Sequence, residues 1–158
     1  MVSVMHVDAP TVDEIARLLA DKQTNSLALV QELCGKISRT NARYNAVREI
    51  NPDAESIALI LDEERARGKI RSPLHGIPIL IKDAFPTNDQ MRTTYGVAAF
   101  ERLSTSFDSA VVNSLRQAGA VIFGKCSTTD FGDYMSSTMP AEHSTADGVG
   151  KNPRRVRY

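Results

Sequence analysis

Apolar residues return at intervals of three and four in several early stretches of this chain, and later they cluster in two unbroken runs. The first spacing is that of a helix with one buried face, and the second that of short strands covered by other elements. Val12, Ile15, Leu18 and Leu19 share a face, and Thr11 and Glu14 have the spacing of a capping box, so a helix opens after Pro10. A second helix follows Asn25-Ser26, carries Leu27, Val30, Leu33, Cys34 and Ile37 on one side, and fades around Thr40-Asn41. Residues 46–50 form a short candidate strand. Asn51-Pro52 reads as a cap with proline in the first turn of a third helix. That helix turns Ile57, Ala58 and Leu61 inward and Glu63, Glu64, Arg65 and Arg67 outward, and Gly68 is its left-handed stop.

The first unbroken run is Ile77-Pro-Ile-Leu-Ile81, entered through Gly76. Its lack of alternation predicts a strand covered on both faces. Residues 84–107 form a long polar connection without periodicity. Asp108 caps a helix running to Ala118, with Val111, Leu115 and Ala118 inward, and Gly119 ends it before a second apolar strand over 120–123. Helix, glycine, buried strand is the grammar of an α/β fold. Beyond Cys126 the pattern dissolves: Ser127 and Asp130 offer caps for one short helix, and residues 136–158 read as coil. The chain of 158 residues is one domain's worth.

Charge adds little, since 19 basic residues face 19 acidic ones and no nucleic-acid or anionic-membrane partner is indicated. No run is long enough for a membrane span, and the first residues lack the charged start and apolar block of a secretory signal. Cys34 and Cys126 stand alone, without metal spacing, as two reduced thiols of a cytoplasmic protein would. His6, His75 and His143 are too scattered to suggest a metal. Gly119 to Lys125 fits the G-x4-G-K of a phosphate-binding loop, but the residues between the glycines are Ala, Val, Ile and Phe. A helix precedes them, and a cysteine stands where magnesium would need Ser or Thr. ATP binding is therefore discounted.

The chemistry concentrates at Lys82, which ends the first apolar run and is followed at once by Asp83. A lysine in that place can snorkel, its stem buried and its ammonium in water, with Asp83 a neighbouring solvated charge. Alternatively, burial lowers its pKa until the neutral amine can take a proton. The segment "SPLHGIPILIKD", then "TTYG", "DSAVVNSLRQAGAVIFGK" and finally "KNP", resembles the first part of the amidase signature family. That family includes fatty-acid amide hydrolase, bacterial amidases and the amide-cleaving component of the glutaminyl-tRNA amidotransferase. The earlier "NPDAESIALILDEERARG" is similar to the helix preceding the family's lysine strand, and "FGDYMSSTMP" looks most like fungal members. The likeness runs through residues 11–125 and returns at Lys151-Asn-Pro153.

The resemblance implies an α/β fold with helices packed on a mixed sheet, no cofactor, and hydrolysis of a carboxylic amide by a Ser–cis-Ser–Lys triad. Lys82 matches the catalytic lysine. Kept shielded and uncharged, it would receive a proton relayed through one serine and so activate the other as nucleophile. Both family serines lie in a Gly/Ser-rich segment soon after Asn-Pro, and no such segment occurs in these 158 residues. Ser136, Ser137 and Ser144 precede Asn-Pro and lack that setting. Cys126-Ser127 stands where the family has Thr-Asn. The expectation is a partial amidase domain, inactive and marginally stable by itself, with strand edges at 77–82 and 120–123 exposed to self-association. The rival reading is a non-catalytic interaction protein on an amidase scaffold. The amide substrate is not specified by any of these residues.

Overall fold

The structure is a computed structural model and describes residues 10–132 and 143–151. His6, Ser136, Ser137, Asn152-Pro153 and the basic tail Arg154-Arg-Val-Arg157 lie outside the described residues.

Helix α1 (Val12–Ala20) begins with the capping box read from the sequence: Glu14 N donates to Thr11 Oγ1 and Thr11 N to Glu14 Oε2. Helix α2 (Ser26–Tyr44) starts on Asn25 and runs past Asn41 to a left-handed Asn45. Its first amides are satisfied by a distant residue, because Ser26 N and Leu27 N donate to the Asp62 carboxylate. Strand β1 (Val47–Ile50) leads to α3 (Ala54–Ala66). Asn51 does not cap α3 directly. Its Oδ1 accepts from Asp53 N, just ahead of the helix, while its amide Nδ2 donates to Ile122 O and anchors the helix entrance to the sheet. Arg65 and Glu64, expected outward, are half-buried: Arg65 Nη2 donates to His75 O, and Glu64 accepts from Arg71.

Strand β2 (Pro78–Lys82) is entered through Gly76, whose φ of +80° and closeness to Ser26 require glycine; a Cβ there would stand 2.1 Å from Ser26 Oγ. Helix α4 (Ala110–Gln117) is capped by Ser109, not Asp108, which instead accepts from Asn88 N and pairs with Arg116. Val112 is its buried residue and Val111, expected inward, faces solvent, while Leu115 packs on the core as expected. Strand β3 (Val121–Cys126) continues three residues beyond the apolar run.

The three strands form a mixed sheet in the order β1-β3-β2, with β3 antiparallel to β1 and parallel to β2. A parallel pair needs a crossover, and the 84–107 connection with α4 supplies it. Val121 and Phe123 pack against Val30, Ala58 and Leu61 of α2 and α3. Ile122 packs on the opposite face with Ile81, Met91, Val112 and Leu115. The core is thus a sheet between two helical layers.

Two expectations about edges are corrected by this order. β3 is the central strand, so residues 120–123 expose no edge. β2 is not covered on both faces: Ile81 is buried while Leu80 and Lys82, two apart on the other face, are exposed. The segment 84–107 is also less polar in its placement than in its composition, burying Thr87, Met91, Thr93 and Thr94. The expected helix cap at Asp130 is only a short 3-10 turn, Asp130–Gly132. The coil expected after 136 contains, in its described part, the hairpin β4 (His143–Ser144) and β5 (Gly148–Val149).

Candidate functional site

Alternation of side chains at the end of β2 separates Lys82 from Asp83. Lys82 is exposed, whereas Asp83 is completely buried. The aspartate is therefore not a solvated neighbour. It is the centre of a polar network that fixes the chain where the strand ends.

Asp83 is held through main chain and side chain together. Its N–H donates to Cys126 O at 3.0 Å, and its carbonyl accepts from Tyr95 N at 3.0 Å. Its carboxylate accepts from Thr94 N at 3.1 and 3.2 Å and, in a short bond, from Thr94 Oγ1. Arg48 Nε lies 3.4 Å from Asp83 Oδ2, and Lys125 Nζ 4.0 Å from Oδ1. The "TTYG" stretch thus serves first as the wall of a carboxylate site.

Lys125 is the buried lysine of the fold, at zero exposure. Its Nζ donates at 2.6 Å both to Arg92 O and to Thr93 Oγ1. Burial pushes its pKa below the usual lysine value, while the Asp83 carboxylate pulls it back up. This arrangement closes the phosphate-loop reading as well: Lys125 points into the protein from a strand and is not free to meet a phosphate. The sequence reading missed Lys125 because it ended the strand at Phe123. A strand carried through Gly124-Lys125 would have placed that side chain inside.

Lys82 looks out over the 3-10 turn, and a Cβ on Gly132 would stand 3.8 Å from its Nζ. Phe131 in that turn has φ of +48°, donates its N–H to Tyr95 O, and is partly exposed. Its ring is stacked with Tyr95 at 6.3 Å and meets the edge of Phe100 at 5.8 Å. Asp130 is buried and accepts from Thr145 N and Thr145 Oγ1. Ser144 is also buried, donating its Oγ to Gly96 O at 2.7 Å and accepting from Ala146 N and Asp147 N. This serine is committed to holding the hairpin turn. Cys126, opposite Lys82 in the sheet register, is half-buried, and burial pushes its thiol pKa up. His75 is buried between Leu61 O and Arg71 N, a structural role. Among the described residues no cluster of three or more His, Cys, Asp or Glu could hold a metal ion. Among the same residues no helix is long and apolar enough to cross a membrane.

Comparison with known proteins supplies the setting for this geometry. Residues 28–157 match the amidase family. A Schizosaccharomyces pombe protein named as a putative amidase is 36% identical over 143 residues, which cover 90% of this chain and 24% of that protein. A probable amidase of Arabidopsis thaliana is 36% identical over 153 residues, covering 96% of this chain and 30% of its own length. Among solved structures, the native peptide amidase of Stenotrophomonas maltophilia superposes with a TM-score of 0.85 at 32% identity, covering 96% of this chain and 31% of the enzyme. An amidase family protein of Bacillus anthracis gives 0.86 at 33% identity, over 93% of this chain and 29% of that one. The chain spans less than a third of the length of these relatives.

Proposed function

The chain belongs to the amidase family, and from that premise we propose that it forms the lysine-bearing part of an amide hydrolase, with Lys82 as the general base. The observation that carries this reading is the contrast between Lys82 and Asp83. A buried, multiply bonded carboxylate fixes the backbone at the end of β2, and the adjacent ammonium is left projecting from that rigid point. Burial of Lys82 by a covering segment would disfavour its charged form and allow the amine to accept a proton. The nucleophile and its relay would come from serines in a Gly/Ser-rich segment, and these 158 residues contain none. Carboxylic amides define the substrate class, and nothing in the described geometry narrows it.

A chimera tests the assignment. Residues 1–151 of this chain are joined to the part of the Stenotrophomonas peptide amidase beyond the matched segment, and hydrolysis of a peptide amide is measured. The chimera hydrolyses the amide, and Lys82→Ala lowers kcat by about 10²–10⁴-fold, the range of a lost general base. Activity that survives this substitution unchanged refutes the role of Lys82.

A second reading, a non-catalytic interaction protein, is favoured by one observation: among the described residues the outer edge of β2 pairs with no strand, and Leu80 beside it is exposed. Size-exclusion chromatography over a hundredfold concentration range discriminates, since a monomer throughout argues against association through that edge.

A further inference from the structure

Strand β1 contains a bulge. Val47 is opposite Cys126 and Glu49 opposite Lys125, so Arg48 is an extra residue between two ladder partners. A bulge re-aims the side chain it carries, and here it sends Arg48 into the polar interior, 7% exposed, where three carboxylates meet it. Nε lies 3.4 Å from Asp83 Oδ2, Nη2 donates to Glu101 Oε1 at 3.0 Å, and Nη1 donates to Asp147 Oδ1 in a short bond. These partners come from three separate places: the end of the Lys82 strand, the residue just after the 3-10 turn Ala98–Phe100, and the turn of the β4–β5 hairpin.

We propose that Arg48 is a positioning residue, a three-way clamp that sets where the hairpin lies relative to Lys82. The inference rests on the reading of Lys82 as the base. The hairpin precedes Lys151, and in the family resemblance the serine-bearing segment follows shortly after Asn152-Pro153. Its placement therefore governs the approach of that segment to the amine. A guanidinium suits the task because its planar fork can address several carboxylates at fixed angles, which a point ammonium cannot. Asn45 Nδ2, donating to Asp147 O at 2.6 Å, braces the hairpin from the end of α2, and Ser144 Oγ and Ala146 N donate to Gly96 O, beside the Tyr95 whose N–H reaches Asp83 O. Among the described side chains, Arg48 alone meets both Asp83 and the hairpin directly.

The first test needs only the chain itself. Amide hydrogen exchange is compared for the unmodified protein, Arg48→Met, Arg48→Lys and Asp147→Asn. Protection at Ala146 and Asp147 falls about tenfold or more in Arg48→Met while β3 amides stay protected, and Asp147→Asn, which leaves the sheet untouched, gives the same local loss. Unchanged hairpin protection in both variants overturns the clamp. Full restoration by Arg48→Lys also overturns it, because then charge alone would suffice. In the chimera described above, Arg48→Met lowers kcat about 10–100-fold with KM within threefold, and adding Asp147→Asn lowers it no further. A kcat unchanged by Arg48→Met, or losses that multiply, overturns the link to catalysis. An inactive unmodified chimera strikes the Lys82 assignment instead, while the exchange result still decides the clamp.

Discussion

Asp83 Oδ1 lies 4.0 Å from Nζ of Lys125, and both side chains are wholly shut off from solvent. Two charges withdrawn from water are tolerated only when each has further partners. Thr94 and Arg48 supply them for the carboxylate, and Arg92 O and Thr93 Oγ1 for the ammonium. The sheet ends that carry Lys82 and Cys126 are therefore tied together by a polar core.

Removing the carboxylate should be costly. Asp83→Ala leaves Arg48 and Lys125 as buried cations without their shared partner, and a loss of about 3–5 kcal/mol is expected. Urea unfolding of the variant measures it, and a midpoint within error of the unmodified chain would contradict the picture of a central carboxylate.

Lys125 should leave a signature at alkaline pH. Its folded pKa is depressed, chiefly by burial. Between that lowered value and the unfolded value of about 10.4, the unfolded chain holds the proton and the folded chain does not, so stability rises with pH. Below the folded pKa both states are protonated and the slope vanishes. Denaturation midpoints followed as the pH is raised toward the unfolded lysine value of about 10.4 should thus show a rising component that disappears in Lys125→Met.

Glu64 gives a slope of the same sign in the acid range, for a different reason: its charged form is the one the fold favours. Hydrogen bonds from Arg71, and more weakly from Lys69, hold its pKa down to about 2. Its contribution is complete above the unfolded value of about 4.3 and is lost as pH falls from there toward the folded value. Acid titration of the denaturation midpoint should fall less steeply in Glu64→Gln over that window. Identical slopes would mean that the pairs are too well solvated to matter.

Lys82 should be dispensable for the chain's own stability. It is exposed, and Lys82→Ala is expected to shift stability by no more than about 0.5 kcal/mol. Thermal melting checks this. Combined with loss of hydrolysis in the chimera, it separates a chemical role from a structural one.

Gly124 allows the close approach of β1 to the central strand. A Cβ there would stand 2.5 Å from Glu49 O, so Gly124→Ala should cost about 1–3 kcal/mol by forcing the strands apart. Loss of exchange protection across β1 and β3 is the accompanying readout.

The helices were readable because their information is local. Thr11 and Glu14 satisfy each other within one turn, and Leu27, Val30, Leu33, Cys34 and Ile37 all pack on the cluster their spacing implied. In α4 Leu115 packs inward as its spacing implied, but Val112 rather than Val111 is buried and Ser109 rather than Asp108 is the cap. Lys82 was legible as a singular position, a charge closing an apolar run, and in the described chain it is exposed. Asp83 was misjudged in the alternative that treated it as a wet neighbour.

What the linear order of residues determined was the set of elements and the α/β class, since periodicity and capping depend on residues within a few positions of one another. Tertiary structure alone decided which charge of the Lys82-Asp83 pair turns inward, that Lys125 is the buried amine, and that Arg48 reaches three carboxylates. Those outcomes depend on strand order, on a one-residue bulge and on partners up to 99 positions apart. No local pattern encodes them, because the free energy of a buried charge is set by whatever the fold brings beside it.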